Sequence, residues 1–219
     1  MAFAAFFLVL YLSYQDKYAS GLTYYAFVFW GIASLICPQL LFLLPPIWVL
    51  MATKLMSFSW RTWAASLLGV LTPYWFGGCV MLYLNDFSPA GRFLTALTDI
   101  QPLFVFNLLA PNQLVLLFFV IILAVIGTGH FLYGAHNDKI RTRMFFHIFI
   151  WMDTLCILWL LAQPQHYDVL LRLIIINTTP LVGHLFALTS SRASNIAFLI
   201  CVGLSLLITI FNLWTSSLY

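Results

Sequence analysis

The stretch of sequence that decides the fold is Leu114-Val-Leu-Leu-Phe-Phe-Val-Ile-Ile-Leu-Ala-Val-Ile-Gly-Thr-Gly-His-Phe-Leu-Tyr133, which contains no charged side chain. A helix needs about 20 consecutive apolar residues to cross the hydrocarbon core of a bilayer, and this run has that length. Its apolar residues are continuous and do not alternate with polar ones. The pattern therefore predicts a membrane-spanning helix and not a strand of a membrane barrel.

The composition extends this prediction to all 219 residues. Hydrophobic residues make up 63% of the chain and charged residues 7%, and the mean hydropathy is +1.02. Such a chain cannot cover a soluble core with polar side chains. The longest polar interruption, residues 134–143, is too short to form a domain. We therefore predict an all-α polytopic transmembrane helical bundle over residues 1–219, a single integral membrane domain without a soluble domain and with no nucleic acid as partner.

The N-terminal part is less regular. Residues 2–14 are short for a span, and residues 22–51 form one long apolar segment that three prolines interrupt. Proline removes a backbone donor and disfavours helix in the residue before it, which predicts a break near Cys37-Pro38. Two short helices, 22–37 and 40–55, and a single kinked span are both compatible with this pattern.

A helix start follows at Ser59, because a serine cap beside Trp60 and Trp63 is typical of a helix that begins at the headgroup level. The predicted helix covers residues 62–84, and residues 85–92 are predicted to form a polar turn. Residues 93–109 are too interrupted to span, so we expect them to lie along the interface. With helices over residues 114–133, 144–161, 169–188 and 195–213, the total is about seven to eight membrane segments.

Basic residues predict the orientation, because loops rich in Lys and Arg stay in the cytoplasm. With eight crossings, Arg92 and Arg172 lie on one side and the other seven basic residues on the opposite side. If residues 22–51 cross only once, the N-terminus moves to the cytoplasm, whereas the later helices keep their orientation. With eight crossings, the residues expected in the cytoplasm are Lys17, Lys54, Arg61, Lys139, Arg141, Arg143 and Arg192.

Two stretches carry a resemblance to a known family: Phe58-Ser-Trp-Arg-Thr-Trp-Ala-Ala-Ser-Leu-Leu-Gly-Val-Leu-Thr-Pro-Tyr-Trp-Phe76 and Thr179-Pro-Leu-Val-Gly-His-Leu-Phe-Ala-Leu-Thr-Ser-Ser-Arg-Ala-Ser-Asn-Ile-Ala-Phe198. The chain resembles, loosely from about Ile32 to its end, an uncharacterised family of polytopic inner-membrane proteins found in Bacteroidota. The resemblance implies a helical bundle in a bacterial inner membrane and no catalytic residue. The short first helix departs from the family, whose members carry more hydrophobic sequence there.

Polar residues inside the spans form a first candidate site, composed of Asp153, Asn177 and His184. An aspartate at the centre of a membrane helix costs roughly 2.5–3.5 kcal/mol on insertion scales, so Asp153 should face the bundle or a wet cavity. Asn177 and His184 are seven residues apart and share one helix face. One interpretation is a path coupled to protons or cations, and the other is hydrogen bonding that holds helices together.

Basic and aromatic residues at the predicted cytoplasmic side form a second candidate site. Such a surface could dock an anionic headgroup, a polyprenyl phosphate or another envelope protein. The preference for basic residues in cytoplasmic loops explains the same residues without any function. They are Trp60, Arg61, Lys139, Arg141, Arg143 and Arg192.

Catalytic and cofactor motifs are absent from the sequence, which has no GxSxG, no HExxH and no paired carboxylates at helical spacing. We therefore predict no catalytic residue, no metal site and no cofactor. The interpretation favoured by the sequence is an integral inner-membrane protein that serves as a non-enzymatic envelope component or scaffold. The alternative is a small transporter or lipid-handling protein that uses the polar residues around Asp153, Asn177 and His184. A lipid-modifying enzyme is the third and least favoured interpretation.

Overall fold

All regular structure in the described part of the chain is helical. The computed structural model describes residues 1–98, 109–134, 138–188 and 192–216, and within these ranges no strand occurs. The predicted all-α transmembrane bundle is confirmed, because most of these helices are both long and apolar. The helices are α1 (Ala2–Leu12), α2 (Ser20–Ile36), α3 (Leu44–Leu50), α4 (Trp60–Leu84), α5 (Ser88–Thr98), α6 (Pro111–Gly134), α7 (Ile140–Ala162), α8 (Tyr167–Leu188) and α9 (Arg192–Ser216).

Six helical stretches among the described residues are long and apolar enough to cross a membrane. The shorter apolar helices α1 and α2 do not reach that length, so the predicted total of seven to eight membrane segments is not confirmed. The six stretches are Pro38–Leu55, Trp60–Leu84, Pro111–Gly134, Ile140–Ala162, Pro164–Leu188 and Ser194–Asn212.

The chain divides into two compact units, Met1–Ile100 and Gln101–Tyr219. Each unit has its own set of packed helices, and the two are described separately below. The expectation of one membrane domain over residues 1–219 stays a prediction.

The first unit contains the predicted proline break. α2 ends at Ile36, and Cys37 adopts an extended conformation with φ −131° and ψ 90°. A 3₁₀ turn, Pro38–Leu43, then leads into α3, and a π-helical turn, Met51–Leu55, follows α3. The predicted break at Cys37-Pro38 is confirmed, because Cys37 leaves the helical region directly before the proline.

The start of α4 joins three parts of the first unit. Ser59 caps the helix as predicted, accepting a hydrogen bond from the Thr62 backbone N–H at 3.3 Å, while the Ser59 N–H donates to Thr62 Oγ1 at 2.8 Å. The Ser59 hydroxyl also donates to the Lys17 carbonyl at 2.8 Å. Nearby, the Gln15 N–H donates to the Leu55 carbonyl at 2.8 Å. The turn after α1 is therefore fastened to the segment that precedes α4.

The region after α4 corrects one prediction. Asn85 ends α4 in the left-handed conformation, but α5 begins at Ser88, so the predicted polar turn over residues 85–92 is wrong in its second half. Asp86 Oδ1 accepts a hydrogen bond from the Ser88 N–H at 2.9 Å, which lowers the pKa of this carboxyl group. α5 has no buried residue, and its placement along the interface stays a prediction. Of the predicted interfacial segment 93–109, residues 99–108 lie outside the described residues.

Close contact between α2 and α4 depends on two glycines. A Cβ atom at Gly31 would lie 2.7 Å from the Val70 carbonyl oxygen, and one at Gly69 would lie 2.5 Å from the Tyr24 carbonyl oxygen. Small residues of this kind let membrane helices approach each other closely. The aromatic core of the unit, Phe6, Phe27 and Trp30, is fully buried beside this contact.

The second unit is built around α8, which packs against α6 on one side and α7 on the other. The Tyr167 hydroxyl donates to the Gln113 carbonyl at 2.9 Å, and Gly127 lies against Leu181. These contacts fix α6 and α8 side by side and parallel. α9 also touches α6 and α8, but none of its described side chains is buried.

We expect Gly69→Ala to destabilise the protein, because the added methyl group meets backbone atoms that cannot rotate away. Overpacking of this kind costs about 1–3 kcal/mol. The measurement is the midpoint of thermal unfolding of the purified protein in detergent, followed by tryptophan fluorescence. Gly77→Ala on the same helix is the control, since nothing lies within 4 Å of its added Cβ. Equal midpoints for the two variants would show that α2 and α4 do not pack as described.

Candidate functional site

Asp153 lies in the interface between α7 and α8. It is 3% exposed, and its Oδ2 atom accepts a hydrogen bond from the Thr178 hydroxyl at 3.1 Å. The ring centroids of Phe146 and His184 are 4.7 Å apart in the same antiparallel pair. A carboxylate inside a membrane helix bundle requires hydrogen-bond donors from the protein, such as the Thr178 hydroxyl, because hydrocarbon provides none.

Asn177 lies opposite Asp153. Asp153 follows Phe146 by seven residues on α7, and Asn177 precedes His184 by seven residues on α8. Because the Phe146 and His184 rings are in contact and the two helices are antiparallel, Asp153 and Asn177 lie at the same level of the α7–α8 pair. Asn177 is completely buried. Within the described residues, neither polar atom of its amide has a hydrogen-bond partner, and the same is true of Asp153 Oδ1. The structure thus brings two of the three predicted polar residues together.

His184 is engaged elsewhere. Its Nε2 atom is 2.9 Å from Asp138 Oδ2, and the two side chains are only 7% and 16% exposed. Its ring also lies among those of Phe146, Phe131 and His130, with centroids 4.7, 5.5 and 6.0 Å away. The pair joins the segment before α7 to the last turns of α8. The sequence analysis missed Asp138 because this residue lies outside every predicted span. Its position just before α7 nevertheless indicated that it lies near the end of α8, since the two helices are antiparallel neighbours.

A cavity of about 490 Å³ lies between α6, α8 and α9. Four of its lining residues carry a hydroxyl group, Thr178, Thr179, Ser205 and Thr209, and the others are apolar: Leu116, Phe119, Val120 and Leu123 of α6, Ile175, Val182, Gly183 and Phe186 of α8, and Phe198, Cys201, Val202 and Ile208 of α9. Thr178 belongs to this lining as well, so one hydroxyl both borders the cavity and bonds to Asp153. The sequence could not predict the cavity, because its volume depends on how loosely α9 packs.

The predicted basic residues of the second unit lie at one end of its helices. Lys139, Arg141 and Arg192 are exposed, and the Arg141 guanidinium lies 5.3 Å from the centroid of the Phe145 ring. The Arg143 carbonyl accepts a hydrogen bond from His147 Nδ1 at 2.6 Å. This end is where α6 and α8 finish and where α7 and α9 begin.

Trp60 and Arg61 belong to the first unit. Trp60 is 76% exposed and stacks on Trp63 with centroids 4.8 Å apart. The guanidinium of Arg61 lies 5.9 Å from the centroid of the Tyr18 ring. That these two residues form one docking surface with Lys139, Arg141, Arg143 and Arg192 stays a prediction.

The described residues contain no group of three or more His, Cys, Asp or Glu side chains placed to hold a metal ion. The fold and these sites define a multi-pass integral membrane protein with buried polar residues between α7 and α8 and a mostly apolar cavity between α6, α8 and α9. No protein-family model, curated protein or solved structure matches the chain.

We expect Thr178→Val to lower stability, because it removes the donor to a buried carboxylate. A hydrogen bond to a charged group contributes about 1.5–3 kcal/mol. The measurement is the free energy of unfolding in mixed micelles titrated with a denaturing detergent. Thr179→Val is the matched control: its exposed hydroxyl bonds only to the Ile175 carbonyl of its own helix. A loss as large in the control would contradict a special role for the Thr178 hydroxyl.

Proposed function

We propose that this protein is a non-enzymatic lipid-handling component of a bacterial inner membrane. The cavity between α6, α8 and α9 holds the hydrocarbon chain of a lipid, and the basic end of the same unit holds its anionic headgroup. The observation that carries the proposal is the cavity itself, which is lined mostly by apolar side chains and lies between three helices that contain stretches long and apolar enough to span a membrane.

The dimensions of the cavity suit a lipid chain. Its lining runs from residue 175 to residue 186 on α8 and from residue 198 to residue 209 on α9. At a rise of 1.5 Å per residue, each lining extends about 16 Å along its helix. An elongated apolar space of this length matches a chain lying parallel to the helices, and lipid is the apolar molecule present at highest concentration around it.

Charge favours an anionic headgroup. Phe186 and Phe198 line the cavity at one end, with ring centroids 5.2 Å apart. Arg192 precedes Phe198 by six residues, or about 9 Å along α9, and Lys139 and Arg141 are exposed at the same end. Each Lys or Arg near an anionic surface contributes about 1 kcal/mol of attraction. A phosphate headgroup, from a phospholipid or a polyprenyl phosphate, is the matching chemistry.

The proposed location in a bacterial inner membrane is supported by the basic residues of the loops and by the family resemblance. The basic end of the second unit is cytoplasmic by the preference of cytoplasmic loops for Lys and Arg. The resemblance to inner-membrane proteins of Bacteroidota supports the same membrane.

A scaffold remains the second candidate function. Its support is the exposed Trp60, which stacks on Trp63 and neighbours Arg61 in sequence; aromatic residues and Arg are enriched at protein interfaces. Its occupant is another envelope protein, and Arg61→Ala should release it during purification.

Photolabelling tests lipid binding. We expect a phosphatidylglycerol analogue with a photoreactive acyl chain to label α8 and α9 in the purified protein. Gly183→Leu should reduce the labelling about tenfold, equivalent to about 1.4 kcal/mol, because Gly183 lines the cavity, its added Cβ atom has no heavy atom within 4 Å, and the rest of the leucine side chain takes up cavity volume. Gly203→Leu is the control on α9, since Gly203 does not line the cavity.

The headgroup is tested separately. Changing Lys139 and Arg192 together to Gln should weaken labelling by the anionic analogue and leave labelling by its zwitterionic counterpart unchanged.

Equal labelling of the wild type and Gly183→Leu would contradict the cavity as the binding site. Equal loss for both lipids would contradict a role for the basic end.

A further inference from the structure

The interface between α7 and α8 contains buried polar atoms that have no hydrogen-bond partner among the described residues. Asp153 Oδ1 and Asn177 Oδ1 are buried at the same level, and neither has a hydrogen-bond partner among the described residues. Asn177 Nδ2 is unpaired as well, but the amide carries no charge, so donation from it to Asp153 Oδ1 leaves the negative charge of the carboxylate uncompensated and Asn177 Oδ1 without a donor. Each buried oxygen of this kind costs free energy of folding unless a hydrogen-bond donor or a cation lies beside it.

Two further oxygens belong to the same level. The Thr178 hydroxyl donates its proton to Asp153 Oδ2 and keeps its lone pairs. Pro180 has no N–H, so it cannot donate to the carbonyl of Ile176 four residues earlier. α8 therefore carries a hydroxyl, an amide and a backbone carbonyl without its usual donor at successive positions, 176 to 178, and the hydroxyl contacts the carboxylate.

The carboxylate of the site has no cationic partner among the described residues of α6, α7 and α8. No Lys or Arg occurs between Arg143 and Arg172, and α6 contains none. Arg172 is exposed on α8, and His184 is paired with Asp138 about two turns away from Asn177. A single carboxylate in hydrocarbon is neutralised by one positive charge, whereas a divalent ion would leave a net charge behind.

We infer that Asp153, Asn177 and Thr178 bind a sodium ion in the α7–α8 interface. Hard cations take carboxylate, carbonyl and hydroxyl oxygens, and backbone carbonyls freed from helical bonding serve sodium sites in membrane proteins. The close-packed surroundings, Met152 and Cys156 both fully buried, favour the smaller of the common alkali cations. Thr178 also borders the cavity, whereas Asp153 and Asn177 do not line it, and the inference does not rest on the proposed function.

Thermal unfolding in different salts tests the site. The purified protein is compared in NaCl, KCl and choline chloride at equal ionic strength and fixed pH. We expect the unfolding midpoint to rise with NaCl concentration and to saturate, because an ion that binds only the folded protein stabilises it by mass action. Asp153→Asn should remove the rise, while Thr179→Val should keep it, since the Thr179 hydroxyl is exposed.

Asp153→Asn keeps the shape of the side chain, and its midpoint in choline chloride shows whether it folds. If Asp153→Asn does not fold, the test is the binding of radioactive sodium to the wild type and to Asn177→Leu. We expect Asn177→Leu to bind sodium at least about tenfold more weakly than the wild type. Equal midpoints in the three salts would overturn the inference, as would stabilisation by KCl equal to that by NaCl. A midpoint in choline chloride that rises as pH falls and ignores sodium would show that the site binds a proton instead.

Discussion

In the hydrocarbon core of a bilayer, backbone N–H and C=O groups have no water to bond, so the chain must satisfy them itself. This constraint accounts for the helices and for the way their prolines are handled. Pro38 stands where α2 has ended, whereas Pro73 and Pro180 lie inside α4 and α8. Before each internal proline stands a threonine whose hydroxyl donates to a carbonyl four residues earlier, Thr72 to Leu68 and Thr179 to Ile175. In both helices, a hydrogen bond from the threonine side chain to a backbone carbonyl thus forms next to the backbone hydrogen bond that the proline removes.

The same constraint gives α8 two different faces. One face meets α7 and carries Asn177 and His184, whose polar atoms must be satisfied within the protein. The other face borders the cavity with apolar residues and two threonines, whose hydroxyls are already bonded to Asp153 and to the Ile175 carbonyl. Thr178 lies between the two faces and belongs to both. α8 therefore separates a tightly packed polar interface from a loosely packed apolar space.

Local signals in the sequence predicted the local features well. The apolar run 114–133 lies within α6, and Ser59 caps α4, because span length and capping depend only on neighbouring residues. Residues 85–92 were misassigned because the polar composition outweighed Ser88-Pro89, a combination that favours a helix start. The burial of Asp153 followed from its cost in lipid, but its partner Thr178 did not. The Asp138–His184 pair and the cavity depend on the register and spacing of helices far apart in sequence, which periodicity does not contain.

The two bonds that fasten the turn after α1 to the start of α4 have a topological consequence. Gln15 bonds to Leu55, and Lys17 to Ser59, so residues 15–17 and residues 55–59 lie together at one end of the first unit. The chain between them, α2 and the stretch Pro38–Leu55, leaves this end and returns to it, and therefore forms a hairpin. Lys17, Lys54 and Arg61 consequently belong to the same end of the first unit, where their charges act together.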